Sequence, residues 1–159
     1  MRGTSRITAC VLGALLLGGP LADAASAEDP AKDHSAAFDH RVDTMKRMGR
    51  ALYTTIGRVV RGKAALGPDA VAAAETIASL AATIDTLFPP GSNVGDSRAK
   101  PEIFAAGPRV KELAAGAQGA AANLAAAAKG GDAAALAAAY KAQDEACEAC
   151  HRDFRKPME

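Results

Sequence analysis

The sequence contains no tryptophan, and aromatic residues make up only 4% of its 159 residues. Aromatic and β-branched residues are those that strands favour, whereas alanine, which is abundant here, is the strongest helix former. The scarcity of aromatic residues therefore disfavours a sheet and predicts closely packed helices. The chain is long enough for one domain with a real core.

The sequence also lacks an excess of either positive or negative charge. The 19 basic and 18 acidic residues nearly cancel. Without residues 1–27, which hold two of the basic residues and one of the acidic ones, both counts become 17. Neither nucleic acid nor a charged membrane surface is therefore expected as a partner.

The apolar run 7–17 is too short to span a membrane. Arg2 and Arg6 precede it, and the small residues 25–27 (Ala-Ser-Ala) follow it. A positive start, a short apolar run and a small-residue cleavage site are features of a secretory signal peptide. We expect residues 1–27 to be removed and residues 28–159 to form one domain of a periplasmic protein, with no membrane span after cleavage.

Cysteine is scarce as well, and Cys10, one of only three, lies in the predicted signal peptide. Cys147 and Cys150 remain, within the motif Cys-Glu-Ala-Cys-His that ends at His151. On a helix, residues three apart lie on the same face, so both thiols can bond to the two vinyl groups along one edge of a porphyrin. His151 is then placed to ligate the iron, and the spacing is the attachment signature of a c-type haem.

The two cysteines also allow other interpretations. A thioredoxin-like redox pair needs a βαβ setting, which is not predicted here. A zinc site needs a fourth ligand at matching spacing. A structural disulfide in an exported protein stays open, but it leaves the adjacent His151 unexplained.

Apolar residues recur at helical spacing in four segments, which predict helices at about 32–61, 69–87, 102–129 and 133–155. Gly107-Pro108 is expected to kink or interrupt the third helix. The segment 89–101, rich in proline and glycine, is the one long loop, and such loops often cover a site. Short first and third connections predict an all-α, antiparallel up-down-up-down four-helix bundle with the haem against the C-terminal helix. One face of that helix carries Leu136, Tyr140, Gln143, Cys147, Cys150, His151 and Phe154.

Several of these residues resemble the cytochrome c′ family, the class II cytochromes c. The resemblance rests on the haem motif near the C-terminus with Phe154-Arg155 after it, and on Arg41-x-x-x-Met45 in the first helix. It also rests on Phe88-Pro89 leading to the segment 100–103 (Lys-Pro-Glu-Ile). Class I cytochromes carry the motif near the N-terminus instead. Cytochrome c′ is itself a standard example of the four-helix bundle. The resemblance and the predicted bundle are therefore not independent evidence for each other.

The resemblance implies that Cys147 and Cys150 are the thioether anchors of one haem c and that His151 is the proximal iron ligand. It further implies that Arg41 lies near the haem propionates and that Arg155 contacts the proximal pocket. For both arginines the alternative is a solvated helix face.

Met45 matches the distal position of the family, where the side chain either stands over the iron or ligates it. Met48 shares that face and is a second candidate ligand, or an ordinary core residue. His34 and His40 begin the first helix and are expected to be exposed and not to ligate iron.

The leading hypothesis is a non-enzymatic cytochrome that binds nitric oxide or carbon monoxide or exchanges electrons with redox partner proteins. The alternative is a low-spin carrier with Met/His ligation, which suits electron transfer. A peroxidase would need an acid–base pair on the distal side, and no such pair is expected there. A homodimer is possible, although no apolar stripe stands clearly outside the bundle.

Overall fold

Proline and glycine divide the alanine-rich chain into helices. The computed structural model describes residues 30–157, with side chains from residue 34; the predicted signal peptide lies outside this range. The α-helices are α1 (Pro30–Gly49), α2 (Gly57–Val60), α3 (Pro68–Ala81), α4 (Gly107–Gly130) and α5 (Ala133–Phe154).

A π-helical segment, Arg50–Ile56, joins α1 to α2 without a break. These three pieces form one continuous helix, called here the first bundle helix, in place of the uniform α-helix predicted for 32–61. A π-helix has wider turns than an α-helix and is common near functional sites. Here it carries Leu52 and Tyr53, two residues that line the cavity described below.

Local signals set most of the helix ends. Pro68 begins α3, where its missing amide hydrogen costs nothing. The Oδ1 atom of Asp132 caps α5 by accepting hydrogen bonds from the amides of Ala134 and Ala135, at 2.8 and 3.1 Å. Gly131, with φ of 72°, takes the left-handed conformation that ends α4.

Two helix boundaries in the structure differ from the predicted ones. The second helix ends at Ala81 and is followed by a 3₁₀ turn, Ile84–Thr86, whereas the prediction continued to residue 87. The third helix begins at Gly107, and Pro101–Phe104 forms a separate 3₁₀ turn. The expected interruption at Gly107-Pro108 is therefore found, because the proline fits the first turn of a new helix better than the interior of an old one.

The helices pack in chain order around one core. α4 packs against α3 and α5, α3 against α1 and the π-helical segment, and α2 against α5, so the four-helix bundle is closed. Alanine fills much of the interface between α3 and α4, where Ala74, Ala81 and Ala121 have no exposed surface. Such small side chains let neighbouring helix backbones approach closely, as the composition predicted.

The long loop between α3 and α4 is fastened to the end of α5. The amide of Lys100 donates to the carbonyl of Phe154, and the amide of Lys156 donates to the carbonyl of Arg98, both at 2.8 Å. Lys100 also donates through Nζ to the carbonyl of Asp153 at 2.9 Å. The loop is therefore held beside the haem motif.

Candidate haem site

The Cys-Glu-Ala-Cys-His motif occupies the C-terminal part of α5. Cys147, Cys150 and His151 are each half-buried, and their spacing brings them to one side of the helix. Both thiols are free, so the disulfide that the sequence left open is not formed. Among the described side chains, residues 34–157, no three His, Cys, Asp or Glu residues form a group that could hold a metal ion.

A cavity of about 560 Å³ opens beside these three residues. It lies between the first bundle helix and α5, and α4 and the long loop complete its wall. Most of the lining is apolar, including Phe38, Val42, Leu52, Ile77, Ile103 and Leu113. The volume is within the roughly 300–1,000 Å³ of small-molecule and cofactor sites. An apolar space with two thiols and an imidazole in its wall fits a flat porphyrin with a central metal.

Two methionines of α1 line the cavity opposite the haem motif. Met45 is half-buried. Met48 is only 6% exposed and belongs to the main hydrophobic core. The structure thus separates the two candidate ligands, because Met48 has a packing role that Met45 shares only in part.

Arg41 is buried in the cavity wall, with 5% of its surface exposed. Its Nη1 atom donates to the carbonyl of Leu87 at 2.9 Å and to Oγ of Ser92 at 3.1 Å, and its Nη2 atom donates to the carbonyl of Ser92 at 2.9 Å. The alternative of a solvated helix face is therefore wrong for Arg41, and burial lowers the pKa of its guanidinium.

Three aromatic rings surround the same guanidinium. The centroids of Phe38, Phe88 and Phe104 lie 5.6, 5.5 and 5.2 Å from Cζ, within the range of cation–π interaction. Phe38 belongs to α1, Phe88 directly precedes the long loop, and Phe104 belongs to the 3₁₀ turn before α4. Arg41 thus joins three parts of the chain at one end of the cavity.

His151 and Arg155 lie in the cavity wall at the end of α5. Burial, followed by the positive charges of Arg155 and Arg98, lowers the pKa of His151. A lowered pKa favours the neutral imidazole, which is the form that ligates metals. Arg155 itself is exposed. A place on the solvated face of the helix, without contact to the haem, therefore remains the alternative for Arg155.

Gln143 and Tyr53 also line the cavity, although neither was predicted as a site residue. Gln143 is completely buried, and its Nε2 atom donates to Sγ of Cys147 at 3.4 Å. The hydroxyl of Tyr53 donates to Oδ1 of Asp144 at 2.7 Å and so links the first bundle helix to α5. Burial and this hydrogen bond raise the pKa of Tyr53.

Neither histidine at the start of α1 lines the cavity. His40 is exposed, as expected. The prediction of exposure is wrong for His34, which is half-buried because its imidazole lies against the loop backbone at Gly91. A Cβ atom at Gly91 would approach Cε1 of His34 to 2.5 Å, and φ of 85° favours glycine there.

A model of the family described as Cytochrome C′ matches residues 36–155. The chain belongs to the cytochrome c′ family. The resemblance seen in the sequence is thereby confirmed. Membership implies a covalent haem c, and cytochromes c′ are in general haem proteins without enzymatic activity.

Solved cytochrome c′ structures share the fold, which confirms the predicted four-helix bundle. The protein from Thermochromatium tepidum is 32% identical, with a TM-score of 0.72 over 78% of this chain and 97% of that one. A ferrous variant from Alcaligenes xylosoxidans with bound nitric oxide is 28% identical, with a TM-score of 0.70 over 79% and 97%. A carbon monoxide-bound variant of that protein is 29% identical, with a TM-score of 0.70 over 78% and 97%.

No curated protein sequence matches the chain. Of the helices within residues 30–157, none combines the length and the apolar character needed to cross a bilayer.

The two cavity residues that were not predicted differ in the signal that they leave in a cytochrome c′ sequence. Gln143 is a polar residue within the apolar face of α5, the helix that carries the haem motif. Its place in the sequence was therefore already a signal of a role in the site. Tyr53 gave no such signal, because the π-helical segment sets the direction of its side chain.

Proposed function

We propose that this chain is an exported, periplasmic monohaem cytochrome c′ that binds nitric oxide or carbon monoxide or exchanges electrons with redox partner proteins. Residues 1–27 would be the removed signal peptide, and residues 28–159 the mature domain. Cys147 and Cys150 would hold the haem through thioether bonds, and His151 would be the proximal ligand. The bound gases of the Alcaligenes xylosoxidans structures support the choice of gas.

One observation carries the proposal: an apolar cavity of about 560 Å³ has both thiols and the imidazole of the motif in its wall. When bound, the haem would supply a redox-active iron that can bind a small gas or a thioether. The apolar lining from α1 and α4 excludes water and favours small uncharged molecules over ions.

His151 would contribute a neutral imidazole, because burial and the neighbouring positive charges disfavour its protonated form. Arg41 would contribute hydrogen-bond donors to the haem propionates. Three N–H donations from Arg41 are already made, to Leu87 and Ser92, and a guanidinium has five N–H donors. Arg155 would add positive charge to the proximal side.

Met45 would set access to the distal face. Its half-buried side chain reaches the cavity from the helix opposite α5 and would have to move aside for an entering gas. The same position in the wall supports the alternative, a low-spin carrier in which Met45 is the sixth ligand. Met48 supports that alternative less well, because moving it would disturb the hydrophobic core.

The optical spectrum of the purified protein, oxidised and reduced, with and without carbon monoxide, decides between these functions. A high-spin spectrum that shifts with carbon monoxide is the expected result. A low-spin spectrum with a methionine-to-iron band and no shift would establish the electron carrier. A protein without haem bands would overturn both.

Cys147→Ala and Cys150→Ala test the attachment itself. Each variant is expected to lose one thioether bond and to leave one haem vinyl group unsaturated, which changes the haem spectrum. An unchanged haem spectrum in either variant would contradict the assignment of the two anchors.

A further inference from the structure

Gln143 is an unusual residue for the interior of an alanine-rich bundle. Its side chain is 0% exposed and lies in the cavity wall, four residues before Cys147 on α5. The Nε2 atom donates to Sγ of Cys147 at 3.4 Å. The Oε1 atom is buried and has no hydrogen-bond partner among the described residues.

This arrangement does not favour stability. A buried acceptor without a partner destabilises a fold, and a bond to sulfur is weak compensation. Methionine or leucine would fill the same space without an orphan oxygen. A role outside stability is therefore needed to explain an amide at this position.

The chemistry of the sulfur indicates the role. During attachment, a bond forms between Sγ of Cys147 and the inner carbon of a haem vinyl group. The thiol hydrogen ends on the outer carbon, and the C=C double bond becomes single, so neither an oxidant nor a reductant is consumed. The product sulfur is a thioether, which can accept a hydrogen bond but has none to donate.

The amide of Gln143 presents an N–H group to that sulfur, and this contact is compatible with the thiol, the thiolate and the thioether alike. We propose that Gln143 is a positioning residue for haem attachment, whose N–H group holds the Cys147 sulfur toward the cavity before and after the bond forms. The inference rests on the proposed attachment of haem at the motif.

The other cysteine provides an internal comparison. Cys147 receives the hydrogen bond from Nε2 of Gln143. Cys150 receives no side-chain hydrogen bond among residues 34–157. Loss of the amide should therefore affect attachment at Cys147 and spare Cys150.

Gln143→Met tests the proposal, because methionine has a similar shape and no donor. Gln118→Met is the matched control, since Gln118 is half-buried on α4 and does not line the cavity. Newly exported chains would be sampled over time after a labelling pulse and cleaved after Glu148, which puts Cys147 and Cys150 on separate peptides. Mass spectrometry would then score which of the two peptides is bonded to haem.

In Gln143→Met, bond formation at Cys147 is expected to slow about threefold relative to Cys150, equivalent to roughly 0.7 kcal/mol. The thermal midpoint of the purified holoprotein should stay unchanged or rise, because the orphan acceptor is gone. Gln118→Met should leave both rates unchanged.

Equal rates at Cys147 in wild type and Gln143→Met would overturn the proposal. So would an equal slowing at both cysteines with a lowered midpoint, which would mean a structural role only. If the wild-type chain carries no covalent haem, the proposed function fails, and that result is distinct from either of these.

Discussion

Tyr53 and Asp144 join the first bundle helix to α5 through a hydrogen bond of 2.7 Å. Burial and the neighbouring carboxylate favour the neutral phenol, so the pKa of Tyr53 is raised in the folded protein. The unfolded chain then loses this proton first as the pH rises. The stabilisation is complete below the ordinary tyrosine pKa of about 10 and is lost at higher pH.

Tyr53→Phe should consequently lower the free energy of unfolding by about 0.5–1 kcal/mol at pH 8, and this difference from wild type should shrink above pH 10. Urea denaturation at several pH values measures it. Tyr140→Phe is the control, because that hydroxyl makes no side-chain hydrogen bond within residues 34–157. A difference that does not change with pH would contradict the assigned role of the Tyr53 hydroxyl.

The two cavity methionines should respond differently to truncation. Met48→Ala is expected to cost about 2–5 kcal/mol, since Met48 is 6% exposed within the core. Met45→Ala should cost less and increase the affinity for carbon monoxide, because it removes the side chain that obstructs entry. Carbon monoxide titration and urea denaturation measure the two effects. A change from a low-spin to a high-spin spectrum in Met45→Ala would instead identify Met45 as a ligand.

At the scale of elements, the long loop depends on Arg41 for its position beside the cavity. Arg41→Leu removes three hydrogen bonds and leaves the carbonyls of Leu87 and Ser92 without their partner. We expect a loss of about 2–4 kcal/mol and faster amide hydrogen exchange in residues 88–100. Arg47→Leu, which removes only an exposed pair with Asp43, should change stability by less than about 1 kcal/mol. Equal effects of the two variants would show that Arg41 does not anchor the loop.

The start of α5 offers a simpler test of a single element. Asp132→Ala removes the side-chain acceptor of two amides and should destabilise the protein by about 1 kcal/mol. Asp132→Ser should restore most of this, because serine is also a good cap. Thermal unfolding measures both, and an alanine variant as stable as wild type would contradict the role of the cap.

Local chemistry was sufficient to predict these helices but not the contacts between them. Asp132 and Gly107-Pro108 act within a few residues of their own positions, so their effects could be read from the sequence. The burial of Arg41 depends on Ser92 and Phe104, which are distant along the chain. The π-helical segment was missed because seven residues are too few to distinguish its period from that of an α-helix.

At the scale of the whole molecule, α1 and α5 face each other across the cavity, and the haem is expected to supply much of the contact between them. The double variant Cys147→Ala, Cys150→Ala should lose this contact with its haem. Each kcal/mol lost is worth about 2–8 °C in a domain of this size range. We expect a clearly lower and broader thermal transition, and an unchanged transition in a haem-free double variant would contradict this.

The alanine packing between α3 and α4 also limits which substitutions the sequence can accept during evolution. At Ala74, Ala81 and Ala121, which have no exposed surface, every replacement except glycine adds atoms to a filled interface. Glycine itself weakens a helix interior by about 1 kcal/mol. Exposed alanines such as Ala122 and Ala126 are free of this restriction. Among the folded members of a library of random variants, the buried face of α3 and α4 should therefore keep small side chains, whereas the exposed face should vary.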